Sequence, residues 1–443
     1  MGSRKALFCA TLALLPQIGN TLEELLVTGT HSPRPALTAA TTVLDAPQIT
    51  ALNKRNLAGL LQTVPGLLVE EQGGPGGLTA VSVRGGEANF TLVLLDGVPV
   101  NDPTNSRGGG FDFANLNSAL IERVEVVRGP RSAVYGSDAL AGVINIITRR
   151  EERGHRYNVH LEGGDDQFMH QGVAARGRVD AFDYAVELTN RDDGEPVNGS
   201  ERESDGINVR LGWAPLPGHE ISFAARYLDG ERRSFPEQSG GEKFALSGDR
   251  DRIEYEDLVT SLGWRYQVTR AWRSSIEASR FDHEESFASP GIPPFFEVPP
   301  NVSETDFTRD QLRWVNTLTP TRAYTLNVGA DFRREDGEND GFVQFFGIPA
   351  ATSFELERDS VGLFAAIDAR PIQPLLLRAG ARYDDPEEFG GETTFEVGIS
   401  AQLVANLSVS ANWGEAYKLP SFFALGHGLV GNPDLEPERG ESW

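Results

Sequence analysis

The stretch Leu258–Thr269, LVTSLGWRYQVT, decides the fold. Leu258, Thr260, Leu262, Trp264, Tyr266 and Val268 share one parity, and Val259, Ser261, Gly263, Arg265, Gln267 and Thr269 share the other. A period of two puts these sets on opposite faces of a β-strand. The first face is apolar and ends in Trp and Tyr, while the second carries Ser, Gly, Arg and Gln. The same alternation returns at Ile221, Phe223, Ala225 and Tyr227, at Leu326, Val328, Ala330 and Phe332, and at Leu407, Val409, Ala411 and Trp413. Phe395, Val397, Ile399, Ala401 and Leu403 repeat it once more.

A soluble sandwich also alternates, so alternation alone does not choose between water and lipid. Three features together choose lipid: strands near the ~9–11 residues that span a bilayer, aromatics at the ends of the apolar face, and a strongly polar second face. The connections alternate in length as well. Pro215–His219 and Pro371–Pro374 read as short turns, whereas Arg191–Asp205, Asp229–Arg252, Glu284–Glu304 and Glu335–Phe354 read as long loops. Short turns on one rim and long loops on the other belong to outer-membrane barrels. From Arg156 onward the pattern predicts about thirteen such strands and the start of another. The expected class is mainly β, a transmembrane antiparallel β-barrel with an α+β domain before it.

That earlier domain, residues 36–150, has compact apolar segments instead of alternation. Asn56 is placed to cap a short helix with Leu57, Leu60, Leu61 and Val64 on one face, ended by Pro65-Gly66. Short strands are expected at Val81–Arg84, Thr91–Leu95, Val98–Val100, Ile121–Val127 and Val143–Thr148, with Asp96-Gly97 as a hairpin turn. Two Gly-rich irregular loops, Gly73–Gly77 and Asn101–Gly110, lie between them. At the start, Arg4 and Lys5 precede the apolar run Ala6–Leu15, too short to span a bilayer and shaped like a secretory signal over residues 1–20. The barrel would occupy residues 151–443.

The 443 residues carry 64 Asp and Glu against 40 Lys and Arg, a net charge of −24. A nucleic-acid binder needs the opposite sign. The single cysteine, Cys9, lies inside the signal, which excludes disulfide scaffolds and cysteine metal centres. The 7 histidines are scattered, and no His-Glu-x-x-His, Gly-x-Ser-x-Gly or phosphate-loop pattern is present, so no enzyme class is indicated.

Four motifs carry a resemblance: LEELLVTGT (Leu22–Thr30), TLVLLDGVPVN (Thr91–Asn101), RGPRSAVYGSDALAGVINIIT (Arg128–Thr148) and GNPDLEPE (Gly431–Glu438). With them the chain resembles the TonB-dependent outer-membrane receptors, and within these the cobalamin-transporter branch. The resemblance implies a plug inside a barrel of about 22 strands and uptake of a scarce metal chelate into the periplasm of a Gram-negative bacterium. It implies as partners the TonB protein of an inner-membrane energy-transducing complex, outer-membrane lipid and the chelate, with no nucleic acid and no covalently bound cofactor. A ferric-siderophore or haem receptor, or a non-transporting barrel fragment or adhesin, is the alternative. Closing about 22 strands would take on the order of 180 residues beyond Trp443, so the reading is of a C-terminally truncated barrel.

The resemblance also assigns residues. Leu22, Glu23, Glu24, Leu25, Leu26, Val27, Thr28 and Gly29 would form the TonB box, an extended segment able to add to a partner's sheet edge. The box and its linker would cover residues 21–35. Gly76, Gly77, Leu78 and Thr79 would form a first ligand-binding apex, and Asn101, Asp102, Thr104, Asn105, Ser106 and Arg107 a second. Arg84 and Arg128 would hold the plug through carboxylates on the barrel wall. Asp192, Asp193, Glu195 and Asp205, with Glu201 and Glu203 nearby, would offer hard oxygen ligands to Ca²⁺ in an extracellular loop.

Overall fold

The computed structural model describes residues 40–149, 154–294, 298–404 and 407–443. The expected signal and TonB box lie outside these residues.

The first domain is built on β1 (Ala40–Asp45), β2 (Leu67–Glu71), β3 (Thr79–Val83), β4 (Thr91–Leu95), β5 (Val98–Pro99), β6 (Ile121–Arg128) and β7 (Gly142–Thr148). Five of them form one sheet in the order β1-β6-β7-β4-β5, and β2 pairs with β3. Only the β4–β7 pair in that sheet is parallel. The turn between β4 and β5 has Asp96 at φ 52° and Gly97 at φ 94°, as a two-residue hairpin of this hand requires. Helix α1 (Ala46–Leu52) starts at a capping box between Asp45 and Gln48. Helix α2 (Leu57–Leu61) is capped by Asn56, whose side chain accepts from the Gly59 amide at 2.9 Å. Leu57, Leu60, Leu61 and Val64 are all buried, as their spacing predicts. A one-turn helix, α3 (Ser132–Tyr135), follows β6.

The second domain is a single sheet that runs, strand by strand, through β8 (His155–Gly163), β9 (Met169–Val179), β10 (Phe182–Asp192), β11 (Glu201–Trp213), β12 (His219–Ser234), β13 (Asp251–Thr269), β14 (Trp272–Ser289), β15 (Asn301–Thr321), β16 (Tyr324–Phe345), β17 (Ile348–Ala351), β18 (Phe354–Ala369), β19 (Leu375–Pro386), β20 (Glu392–Val404), β21 (Leu407–Lys418) and β22 (Glu438–Ser442). Of these 15 strands β17 is a short hairpin arm on β16, and β22 begins a further strand. That leaves the thirteen expected. Every pairing in the sheet is antiparallel between sequence neighbours, apart from β16, which also pairs with β18 past its own arm. The outward parity is the apolar one: Leu258, Leu262 and Trp264 are exposed on β13 while Val259 is buried between them. Trp213, Trp264, Trp272 and Tyr324 cluster at the short-turn rim, as an aromatic girdle would.

The long loops are shorter than the sequence suggests. Strand β16 continues to Phe345, turns over Phe346-Gly347 and returns as β17, so most of Glu335–Phe354 is ladder. Likewise β12 and β13 extend to Ser234 and back from Asp251, and only residues 235–250, with the one-turn helix α4 (Gly241–Phe244), are left as loop. The reason is visible in the register. Asp205, Asp229, Glu256, Glu284, Asp306, Glu338 and Glu355 lie abreast on seven neighbouring strands. Along this row the outer face carries acids where the apolar residues of a lipid-facing strand would stand, yet the backbone ladder needs none of them.

Candidate functional site

Two loops and a wall make the site. The loop that follows β5, residues 101–110, is pinned at both ends by Asn101. Its side-chain nitrogen donates to the carbonyls of Thr91 (3.0 Å) and Gly109 (2.7 Å), and its oxygen accepts from the Val93 amide (2.7 Å). Asp102 accepts from the Thr104 amide (2.8 Å) and Asn105 from the Arg107 amide (3.0 Å), which tightens the tip. Over this tip lies a partly open cavity of about 420 Å³, walled by β12–β16 and flanked by helix α5 (Phe422–Gly426) with His427 after it. Asp102, Thr104, Asn105, Ser106, Arg107 and Leu78 line it from the plug. From the wall come Arg232, Tyr255, Asp257, Phe281, His283 and Glu285. His283 Nδ1 lies 2.7 Å from Asp257, and its other ring nitrogen 4.0 Å from Asp102 of the plug.

The other expected ligand residues sit elsewhere. Gly76 lies against the wall: a Cβ there would come 2.3 Å from the Arg233 carbonyl, and its φ of +85° also favours glycine. The Gly77 carbonyl accepts from Arg202. Thr79 is buried and donates its amide to Asp112 at 3.1 Å. Asn101, as above, turns inward to build the loop. These four hold the apices, and the cavity is lined by the residues around them.

The wall residues of the cavity were not singled out from the sequence. Their signal was the inward parity itself: Ile253, Tyr255 and Asp257 share it up to the edge of one stretch read as loop, and Phe281 and His283 carry it on into another at Glu285 and Phe287.

The plug is seated by ion pairs, and most of the buried ones share one polarity. Asp112 accepts from Arg202 (3.0 Å) and Arg232 (2.9 Å), Asp138 from Lys418 (2.9 Å), and Asp96 from Arg210 (2.6 Å). In each, the carboxylate is the plug's and the cation the wall's. Three pairs are reversed: Arg131 with Glu396 (2.9 Å) at the start of α3, Arg55 with Glu162 (3.0 Å), and Arg107 with Glu237. Burial opposes ionisation of Asp112, but Arg202 and Arg232, with the Ala114 and Thr79 amides, hold its carboxyl below the usual range. Burial likewise opposes Asp138, and Lys418, Arg333 and Arg309 overcome it.

Among the described residues, Arg84 and Arg128 are not placed against a wall carboxylate. Arg128 donates to Ala40 O (3.2 Å), Thr42 Oγ1 (2.9 Å) and Pro65 O (2.7 Å), all within the plug. Arg84, at φ 52°, is exposed at the turn after β3. The Arg128 hydrogen bonds thus go to two carbonyls and a hydroxyl of the plug itself.

The proposed calcium ligands point to different partners. Asp193 lies 2.8 Å from His170 and also accepts from Arg191, Asp192 accepts from the Gly194 amide (2.7 Å), and Asp205 from Asn190 (2.9 Å). Glu195 follows in the loop with its amide on the Asp166 carbonyl (2.8 Å). Among the described residues no three His, Cys, Asp or Glu side chains are placed to share a cation.

Comparison with known proteins agrees with the geometry. Residues 34–143 match the TonB-dependent receptor plug domain, and residues 181–443 the TonB-dependent receptor-like β-barrel. A vitamin B12 transporter, BtuB, of Vibrio vulnificus (strain CMCP6) is 29% identical over 422 residues, 93% of this chain and 65% of that protein. The chain spans 63–65% of the length of the curated relatives it matches. Among solved structures, the ferric yersiniabactin uptake receptor FyuA of Yersinia pestis superposes with a TM-score of 0.72 at 17% identity, over 91% of this chain and 68% of that one. The siderophore receptor PiuA of Acinetobacter baumannii does so at 0.72 and 15%, over 91% and 69%. At these identities the two structures show a shared fold.

Proposed function

This chain belongs to the TonB-dependent receptors of the Gram-negative outer membrane, and we propose that it takes up a metal chelate, a cobalamin, into the periplasm. The charge of the upper cavity carries the choice of ligand. Six carboxylates line it (Asp102, Asp112, Glu237, Asp251, Asp257 and Glu285) against two guanidiniums, Arg107 and Arg232, and two imidazoles, His283 and His427. Ferric catecholates and citrates are polyanions, and such a lining repels them. A corrinoid presents a rim of neutral amides, which donate to carboxylates as well as accept from guanidiniums. The aromatic rings of Tyr255, Phe281, Phe287 and Phe423 offer flat apolar surface between these polar groups. The named activity of the Vibrio relative points the same way.

A ferric siderophore is the second reading, favoured by the named ligands of the two solved relatives. Titration of the purified full-length receptor separates the two. Saturable binding of cyanocobalamin, with a ferric catecholate unable to compete, is the expected result. Tight binding of the catecholate and none of cobalamin transfers the assignment to the second reading.

Energy would come through TonB, with Leu22–Gly29 as the box and the upper cavity as the ligand seat. Leu26→Pro removes a ladder donor and fixes φ. Energised uptake should stop in that variant while ligand binding stays at the wild-type level. Undiminished uptake would remove the box from this segment. The curated relative is a transporter by name, and no catalytic residue is assigned here.

A further inference from the structure

Beneath the upper cavity lies a second one, of about 150 Å³, on the same sector of the wall. It is lined by the Asp96-Gly97 turn of the plug and by Ser261, Ser275, Glu277 and Arg313 of the wall, with Phe223, Trp264 and Ile276 beside them. The inward residues of three adjacent strands read the same way from top to bottom. On β13, Tyr255 and Asp257 line the upper cavity, Val259 follows, and Ser261 lines the lower one. On β14 the order is Glu285 and His283, then Phe281, then Glu277 and Ser275. On β15 it is Ser303 and Thr305, then Phe307, then the buried Arg309 and Gln311, then Arg313 and Val315.

Val259, Phe281 and Phe307 join Val98 and Val100 of the plug in one buried apolar cluster. The Phe281 and Phe307 rings are 6.1 Å apart, edge to face. Strand β5 packs directly against β13 and β14. A thin apolar contact therefore lies between two cavities of mixed lining, each of which carries charged side chains. Polar residues lie on both of its sides, and a dry constriction of this kind stops water and ions without closing the space for good.

The plug side of the partition is the part of the plug sheet held least. β5 is a two-residue edge strand, paired with β4 alone through Leu94↔Pro99 and Leu95↔Val98. On its other flank Arg309, anchored to Glu335, donates to the carbonyls of Asn101 (2.8 Å) and Pro99 (3.3 Å). An edge strand with few ladder bonds opens at low free energy relative to the sheet behind it. It also leads straight into loop 101–110, the floor of the upper cavity.

We infer that the ligand passes along this sector, between β5 and strands β13–β15, with Val98, Val100, Val259, Phe281 and Phe307 as the barrier and Arg309 as the latch that keeps β5 against the wall. The inference rests on the transport reading. Swinging β5 away would join the two cavities while β6 and β7, with the ion pairs of the opposite flank, stay seated.

Two measurements on the full-length receptor test it. The first is ion conductance in planar bilayers and needs no ligand. Val98→Ser with Phe307→Ser should wet the partition and raise conductance at least tenfold over wild type. Leu419→Ser, on the other flank beside Ser137, should leave it at the wild-type level. The second is energised uptake: Val259→Phe, which thickens the barrier, should slow it at least tenfold with ligand affinity unchanged. Equal leakage through both flanks, silence of the Val98/Phe307 variant in a preparation that still binds ligand, or full-rate uptake by Val259→Phe would overturn the route. If the wild type neither binds nor accumulates a chelate, the transport reading fails, and the conductance result still stands or falls by itself.

Discussion

Leu92, Val93, Leu94 and Leu95 follow one another along β4 of the plug, and all four are buried. On β13 of the wall the neighbours Leu258 and Val259 part company: the first is 37% exposed and the second 7%. The plug strand is covered on both faces by its own chain, so its sequence is a continuous apolar run. The wall strand has lipid on one side and the plug on the other, and its large apolar residues face outward. What the wall buries is largely polar: Arg202, Arg309, Asp331, Arg382 and Glu396 are each 6% exposed or less. Burial thus means the hydrophobic effect in one domain and compensated charge in the other. A substitution should be judged by which of the two it disturbs.

The largest effect is expected where both meanings are at stake. Asp112→Ala removes the one carboxylate shared by Arg202 and Arg232 and leaves two guanidiniums enclosed at the plug–wall contact. Breaking a buried pair from one side destabilises by about 3–5 kcal/mol. The plug of this variant should become accessible to protease in intact outer membranes, and ligand binding should fall with it. Wild-type protease resistance would mean that the seat does not depend on charge. Acid offers a second handle with a fixed sign. The folded-state carboxyls of Asp112 and Asp138 lie below their ordinary value of 3.8, so their contribution is fully present above that value. It is lost as pH falls through the depressed folded values. Plug protection should therefore be flat across neutral and mildly acidic pH and decline only below 3.8. A decline already at mildly acidic pH would point to histidine instead.

The plug was legible where its chemistry is local. Asn56, the four apolar residues of α2 and the Asp96-Gly97 turn carry their own signals, and the structure places them where those signals put them. Helix α1 has a capping box as well, from Asp45 to Gln48, but Pro47 beside it reads first as a breaker. The barrel was legible from parity as far as lipid reaches. At the level of the acid row both faces are polar, and that break in the alternation hid the continuation of β16 to Phe345. The seat was hidden for a different reason. Arg202, Arg210 and Arg232 look like any lumen-facing arginine, and their partners Asp112 and Asp96 lie 90 to 120 residues away in sequence. Nothing local pairs them.

Leu262→Arg probes the outward meaning of an apolar residue. Leu262 is 56% exposed, which in a soluble protein would make the change harmless. On the lipid face of a barrel, an arginine near the midplane costs about 2–4 kcal/mol. Refolding into lipid vesicles, followed by denaturant titration, should show a loss of that size. The same substitution at exposed Leu246, in the loop between β12 and β13, should change little. Equal, small losses at both positions would mean that the outward face of β13 does not meet lipid.

The smallest effect concerns the row of acids above the lipid. Asp306 stands between Glu284 and Glu338 in direct register on β14 and β16. Like charges opposite each other destabilise a sheet, and opposite charges stabilise it by about 0.2–1 kcal/mol per pair. Asp306→Lys converts two repulsions into two attractions without touching the plug, whose wall contacts are made by the other parity. It should raise the melting temperature slightly at low salt, and the gain should shrink as ionic strength rises. Ligand binding and plug protection should stay as they are. A loss of stability instead would mean that the row is already neutralised by cations from solution, which a lysine would displace. In that case the wild type, and not the variant, should lose stability when divalent ions are chelated. The two outcomes give opposite signs, so one pair of melting curves decides whether the wall's outer charge is a strain the fold tolerates or a surface that its surroundings complete.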